Sequence, residues 1–502
     1  LILRYDWRDR PRFNRKADFE PPEAPQRLVE EFPILGHNDR TFRAMAESPH
    51  DFQATFQRQK EFFESGRSRD LNLRIETLAH LSRELERRTD EALVALQADL
   101  RKPSLEAWLA EIHFLRSELR HCLKNLKRWQ KPRRVANPFY FWPARSEIRR
   151  EPFGRVLIAS PWNYPLQLSL SPLISAIAAG NCVILKPSEY APETSSFIRD
   201  LVGSIFDPGH ATTVTGGAAT GKALLNLPFE FFCYTGGEKV GRLYAEAGAT
   251  GLAPVLLELG GKCPCLVEHD VNLARAAERI VAGKFFNAGQ TCIAPDFVVL
   301  PSELHDEFRD LCEDELRRAY AENLDRDLAR IVNQKHYQRL KALIPPDALM
   351  IGEDDPAKLA LAPRLLPNTT WDSPLMREEI FGPLLPLIPC KDMDLAIEHL
   401  KNLPSPLALY IFTGDLRGGE RIASVLRSGS VCFNDVMKTG TNHLLPIGGL
   451  GQSGLGRYRG RAGFEQFSYE RPFTRRWLTS DPFLVKPPYG DKLGRLKKFL
   501  KP

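Results

Sequence analysis

Cys292 stands in the run Gly-Gln-Thr-Cys-Ile-Ala-Pro-Asp (Gly289 to Asp296), and Glu258 stands thirty-four residues before it in Leu-Glu-Leu-Gly-Gly-Lys (Leu257 to Lys262). Covalent acyl chemistry needs these two side-chain types: a thiolate attacks a carbonyl carbon, and a carboxylate activates the water that releases the product. Gly289 and the Gly260-Gly261 pair carry no Cβ, so a flat ligand can approach the backbone beside both groups. A surface position for Glu258 fits poorly with the apolar run Pro-Val-Leu-Leu-Glu-Leu that contains it. The chain is therefore expected to be an enzyme.

The elements that must hold these residues follow from the hydrophobic pattern. Arg155 to Ala159, Asn181 to Leu185, Ala211 to Val214 and Phe229 to Tyr234 are short apolar runs, each followed by a helix-compatible segment. That rhythm predicts parallel strands with crossover helices in an open, doubly wound sheet. A second rhythm of the same kind follows Cys292, with Phe297 to Leu300, Leu407 to Phe412 and Ser430 to Phe433. The expected class is α/β with two such lobes, joined by the Glu258 to Cys292 segment. Upstream, Trp108, Ile112, Leu115, Leu119, Cys122, Leu126 and Trp129 recur at steps of four and three, which lines one face of a helix. Residues 1 to about 50 carry no period and read as an extended arm or leader.

Composition narrows the class of protein. The 502 residues are 43% hydrophobic and 26% charged, enough for a large core and two to four domains by length. A net charge of +6 is too small for a nucleic-acid binder of this size. Most of the excess lies in the tail, where Lys486 to Pro502 holds six Lys or Arg against Asp491 alone. Nine cysteines at irregular spacings suit reduced thiols in a cytoplasmic compartment. Cys182, Cys233 and Cys432 sit in apolar strand-like runs and read as core residues. Cys263 and Cys265 form the one close pair, and no second cluster completes a tetrahedral set, so no metal is expected. No stretch has the uninterrupted apolar length of a membrane-spanning helix.

Five further runs accompany the thiol and the carboxylate: SPWNYP (Ser160 to Pro165), LKPSE (Leu185 to Glu189), YTGGEKVG (Tyr234 to Gly241), EEIFGP (Glu378 to Pro383) and PIGGLGQSGLG (Pro446 to Gly456). Each is weak singly. In this order they resemble the aldehyde dehydrogenase superfamily from about Phe52 to the end. The tail, through GRYRGRAGFEQFSYERP and KPPYG, resembles its class 3 branch, the fatty and aromatic aldehyde dehydrogenases.

The resemblance implies a division of the chain and a set of roles. Residues 1–50 would be an N-terminal extension, 51–130 the helical part of the cofactor-binding domain, and 131–153 the first part of a small β oligomerisation arm. Residues 154–258 would be the Rossmann-like NAD(P)-binding domain, 259–445 the catalytic domain, and 446–502 the second part of the arm with the basic tail. Cys292 would attack the aldehyde, Asn163 and the Cys292 backbone N–H would hold the alkoxide, and Glu258 would activate water against the thioester. YTGGEKVG follows a strand and opens a helix, so Gly236, Gly237 and Gly241 would face a pyrophosphate at a helix N-terminus. The family commonly has Ser or Asn where this chain has Gly237. Lys186 and Glu189 match residues that hold the adenosine ribose, and Glu379 and Phe381 match those that hold the nicotinamide end. Tyr164, Thr291, Ile293, Asn442 and His443 would line the aldehyde pocket.

The resulting expectation is oxidation of an apolar aldehyde to its acid with NAD, NADP being accepted as well, by a cytoplasmic homodimer that binds no nucleic acid. A CoA-acylating relative is the enzymatic alternative, which Glu258 argues against, since a thiol acceptor needs no base placed for water. A catalytically silent scaffold is the other, disfavoured by the presence of Asn163, Glu258 and Cys292 together. In the tail, Leu493, Leu496, Phe499 and Leu500 share a helical face beside Lys492, Arg495, Lys497 and Lys498. That pattern suits weak contact with an anionic membrane surface or packing on a partner subunit.

Overall fold

Strands buried at almost every position need cover on both faces, and Arg155–Ala159, Cys182–Lys186 and Phe231–Thr235 are of this kind. The computed structural model describes residues 49–478 and 486–499; the expected extension over 1–50, save its last two positions, and Leu500 lie outside them. The three strands are central in a six-stranded sheet ordered Gly454–Leu455, Val255–Glu258, Phe231–Thr235, Arg155–Ala159, Cys182–Lys186, Ala211–Thr213. All pairs are parallel except the first. Side chains alternate across the sheet. Val156 and Ile158 enter a core with the helices Leu71–Arg87, Phe114–Trp129 and Pro165–Ala179, while Leu157 and Ala159 enter one with Phe52, Phe232 and Tyr244.

The expected strand from Asn181 begins one residue later because the Asn181 side chain takes up backbone bonding at its start. Its Oδ1 accepts the Gly154 N–H at 3.1 Å, and its Nδ2 donates to the Ala176 and Phe467 carbonyls at 3.0 and 2.8 Å. One buried amide thus ties the first strand of the sheet to the preceding helix and to the returning C-terminal segment.

The helical series beginning at Trp108 is interrupted. The chain forms a short helix Ser104–Ala107, a π turn Trp108–His113, and then the helix Phe114–Trp129. Ile112 to Trp129 are buried as the periodicity predicts, whereas Trp108 is 36% exposed. A π turn adds a residue per turn and rotates whatever precedes it, which carries Trp108 outward and leaves Glu111 inside.

The second lobe repeats the logic. Seven strands lie in the order Leu349–Met350, Arg364–Leu366, Leu384–Cys390, Phe297–Pro301, Pro264–Val267, Ala408–Phe412, Ser430–Phe433, parallel apart from the first pair. Val298 and Leu300 face one core and Phe297 and Val299 the other. Cys182 and Cys233 are buried on their strands as expected, and Cys432, on the last strand, is half-buried. A separate antiparallel sheet joins Arg133–Val135, Ala144–Pro152 and Ser468–Arg476. The two open-sheet lobes and the small β arm are those the sequence predicts. The pairing of Gly454–Leu455 with Val255–Glu258 sets Gly454 opposite Glu258. Among the described residues no helix is long and apolar enough to cross a membrane. The tail forms a helix Lys492–Phe499 with Leu493 exposed.

Replacing Asn181 by Ala leaves the Gly154 N–H and the Phe467 carbonyl without that partner in a buried site, at about 1–3 kcal/mol each. Asn181→Ala should therefore lower stability by about 2–6 kcal/mol, read as a fall in the urea midpoint at unchanged slope. An unshifted midpoint would mean that the amide does not hold these segments together.

Candidate active site

The thiol's position is fixed by a turn that the local sequence alone would not favour. After the helix Leu273–Phe285 the chain runs through Asn287 and Ala288 at φ of 53° and 52° and Gly289 at 72°. Left-handed backbone is costly for Asn and more so for Ala, and surrounding bonds must hold it. The Asn287 N–H donates to Glu106 at 2.8 Å, and its Nδ2 donates to the carbonyls of Asn163 and Gln290 at 3.0 and 3.2 Å. Gln290 in turn donates to the Asn287 and Arg330 carbonyls and accepts the Val332 N–H. Gly289 packs on the Gly382 carbonyl so closely that a Cβ would collide with it.

The two motif runs are joined to each other. Lys262 forms an ion pair with Asp296 and also donates to the Leu375 and Glu378 carbonyls at 2.7 and 3.1 Å. Asp296 accepts the Ile380 N–H at 3.0 Å, and its own N–H bonds the Cys263 carbonyl at 2.8 Å. The Cys263 thiol donates to the Cys292 carbonyl at 3.4 Å.

Between the lobes lies a cavity of about 750 Å³. Asn163, Gly236, Gly237, Glu258, Cys292, Glu379 and Phe381 all line it, with Trp162, Thr235 and His336. It opens where the strands Arg155–Ala159 and Phe231–Thr235 end side by side, the point at which the strand order of an open sheet reverses and ligands bind. Glu258 ends its strand almost wholly buried. Its Oε2 accepts the Tyr458 hydroxyl at 3.3 Å and a longer contact from Thr235 at 3.5 Å, while Oε1 has no protein partner among the described residues. Burial pushes the Glu258 carboxyl above its ordinary range, opposed by the Arg459 charge and the Tyr458 bond. Cys292 is pushed well above an ordinary thiol, first by burial and then by the charges of Glu258 and Glu379. The Asn163 Nδ2 donates to the Gln290 carbonyl at 3.1 Å, which ties this amide to the thiol's own loop.

Glu379 lies over Gly260, where a Cβ would strike its carboxylate. Burial and the Asp296 charge raise its pKa to about 8. Phe381 stands edge-on to Trp162 at 5.4 Å between ring centres. Gly237 precedes the helix Glu238–Gly251, which no side chain caps, so the helix's first N–H groups are available to an anion at the cavity wall. Gly241 packs on Leu259, leaving no room for a Cβ. Lys186 and Glu189 pair at 3.2 Å beside the start of the helix Ala218–Leu225, outside the cavity's lining. A nucleotide's diphosphate, ribose and flat ring fit these features in turn.

The other expected residues lie apart from that lining. Tyr164 and Thr291 are buried and share a hydroxyl bond at 2.6 Å. Ile293 is buried against Gly440. Asn442 is exposed, and His443 meets Phe114 edge-on at 6.3 Å. Thr235, Tyr458 and the Lys262–Asp296 pair were not singled out from sequence, although all four lie inside the runs quoted above. No group of His, Cys, Asp and Glu suited to a metal occurs among the described residues.

The aldehyde dehydrogenase family model matches residues 33–471. The chain is 38% identical to the 4,4'-diaponeurosporen-aldehyde dehydrogenase of Staphylococcus aureus, over 88% of this chain and 97% of that one. It is 37% identical to the aldehyde dehydrogenase family 3 member A2 of Rattus norvegicus, over 88% and 93%. A solved structure of Staphylococcus aureus AldH in its substrate-bound state superposes with a TM-score of 0.87 at 37% identity, covering 90% of this chain and all but 1% of that one. An indole-3-acetaldehyde dehydrogenase with NAD+ superposes at 0.78 with 25% identity, over 86% and 90%.

A thiol nucleophile and a carboxylate base act in their deprotonated forms, and burial shifts both Cys292 and Glu258 upward, so those forms grow as pH rises. A reaction using them should show kcat/KM climbing from about pH 6 to pH 9, with no fall across that range. A flat profile of kcat/KM would contradict attack by the Cys292 thiolate.

Proposed function

The chain belongs to the aldehyde dehydrogenase family, and from that premise and the cavity's geometry we propose that Cys292, Glu258 and Asn163 carry NAD(P)-dependent oxidation of an apolar aldehyde to its carboxylic acid. The observation that carries this reading is the meeting of all three in one cavity, with one Glu258 oxygen left free to take a proton from water. The Cys292 sulfur attacks the aldehyde carbon as a thiolate, and the Asn163 amide and the Cys292 N–H hold the alkoxide that forms. Removing one such donor costs about 2.7–4 kcal/mol in comparable sites. Glu379 and Phe381 would hold the nicotinamide end of a dinucleotide, which would supply the hydride acceptor. After hydride loss the acyl group is a thioester on Cys292, and Glu258 removes a proton from the water that attacks it. Tyr458 and Thr235 orient that carboxylate through the oxygen that does not react.

The remaining assignments follow the same premise. Residues 51–130 and 154–258 form the cofactor domain, 259–445 the catalytic domain, and 131–153 with 446–502 the arm and tail. Gly236, Gly237 and Gly241 border the diphosphate, and Lys186 and Glu189 the adenosine ribose. Tyr164, Thr291, Ile293, Asn442 and His443 border the aldehyde, where exposed Leu444 and Leu445 add an apolar rim. The arm joins two copies in a cytoplasmic homodimer. The basic tail helix lies beside that contact or against an anionic membrane surface. A CoA acceptor is disfavoured, because Glu258 would then have no water to activate.

Glu258→Gln keeps the shape and removes the base. We expect a burst of about one NADH per site and then slow turnover, because deacylation suffers more than hydride transfer. A linear trace at the wild-type rate would remove Glu258 from the mechanism.

An apolar pocket gains about 0.8 kcal/mol for each buried methylene. The specificity constant should rise about fourfold for each carbon added between butanal and decanal, until the pocket is filled. No dependence on chain length would remove the apolar substrate class while leaving the reaction type intact.

A further inference from the structure

Lys102 and Glu111 have no solvent exposure and meet at 2.5 Å, Nζ to Oε1, yet neither lines the cavity. Two charges taken from water in this way are tolerated only where their remaining bonds are filled. Both are filled by one short stretch of chain. The Lys102 ammonium donates to the Asn163 carbonyl at 2.9 Å and lies 4.2 Å from the centre of the Tyr164 ring. The second Glu111 oxygen accepts the N–H groups of Leu166 and Gln167 at 2.9 and 3.2 Å.

Those N–H groups open the helix Pro165–Ala179, which its own N-terminal neighbour Tyr164 does not cap. Glu111 therefore serves as a cap delivered from another helix, and its charge suits the positive end of the helix dipole. It reaches this place because it lies in the π turn Trp108–His113. The short helix Ser104–Ala107 just before that turn also grips the thiol's loop, since Glu106 accepts the Asn287 N–H and Asn287 bonds the Asn163 carbonyl.

We propose that the buried Lys102–Glu111 pair is a positioning device for the oxyanion site, fixing the Asn163 amide relative to Cys292 by clamping the turn from Asn163 to Gln167. This rests on the reading of Asn163 as an alkoxide donor. Lys102 and Glu111 touch neither substrate nor cofactor and act through Asn163. The pair is not required by burial alone, because apolar residues of similar volume commonly replace such pairs without loss of stability. A displacement of about 1 Å at a catalytic group can cost about a hundredfold in rate, so the pair's effect should show in the first chemical step.

The test compares the full chain with Lys102→Met/Glu111→Leu, with Asn163→Ala, and with all three changes together. The NADH burst is followed by stopped flow with NAD and octanal. NADH affinity is read by fluorescence titration, and folding by the thermal midpoint. The pair variant leaves the Leu166 and Gln167 N–H groups without their acceptor, so its midpoint should fall, but it should stay folded at the assay temperature and bind NADH within about twofold, while the burst slows by about ten- to a hundredfold. The triple variant should be no slower than Asn163→Ala, because the clamp has nothing left to position. Should the pair variant not fold, Glu111→Gln keeps an acceptor for the helix N-terminus and should show a smaller loss with the same non-additivity.

An unchanged burst in the pair variant, or full additivity in the triple variant, would overturn the clamp while leaving the assigned reaction standing. An unchanged burst in Asn163→Ala would overturn the oxyanion reading and the clamp with it.

Discussion

Glu258 ends a strand of one sheet and Cys292 lies in a loop of the other lobe, and each is followed, four residues on, by one half of the ion pair that holds them together. Lys262 and Asp296 are both largely buried, so their attraction is little screened by solvent. Each also carries the hydrogen bonds that a buried charge requires: Lys262 reaches the carbonyls of Leu375 and Glu378, and Asp296 takes the Ile380 N–H. The segment that presents Glu379 and Phe381 is thereby pinned to the same pair. Glu258, Cys292 and one wall of the cavity are tied together by this interaction, which links three pieces of chain distant in sequence.

The electrostatics of the cavity favour a quiet resting state. Glu258 and Glu379 are both raised by burial, and the thiol between them is raised further by their charges. Lys284, buried behind Glu379, is lowered to about 8 by the same loss of water. All of these shifts have one leading cause, the loss of water around the groups, which disfavours each charged form. For Glu258 the upward shift moves the carboxyl toward the pH at which a general base works well.

What the sequence made legible was what local pattern can encode. Runs such as Val156 to Ala159 and Phe297 to Leu300 are apolar at each position, and they lie in central strands. Cys292 and Glu258 were recognisable because a polar, reactive side chain among small and apolar neighbours needs a reason. Long-range partners left less trace. Tyr458 bonds Glu258 across two hundred residues, and nothing near either residue announces the contact. The helix from Trp108 kept its apolar period through Trp129, yet the π turn at its start depends on Glu111 finding Lys102 and an uncapped helix, which is tertiary information. Asn181 reads as the start of a strand by neighbourhood and proves to be a tie between three segments.

The strained turn before Cys292 connects these points. Three consecutive residues with positive φ are unfavourable by themselves, so the conformation exists only while other groups insist on it. Those groups come from both lobes: Glu106 and Asn163 from the cofactor side, Gly382 and Val332 from the catalytic side. The position of the Cys292 thiol is then tied to the docking of the two lobes, and Asn163 bonds the Gln290 carbonyl across that boundary. Strain held at the thiol and charge buried beneath Asn163 are two parts of one arrangement, in which packing far from the reacting atoms is expressed as the position of those atoms.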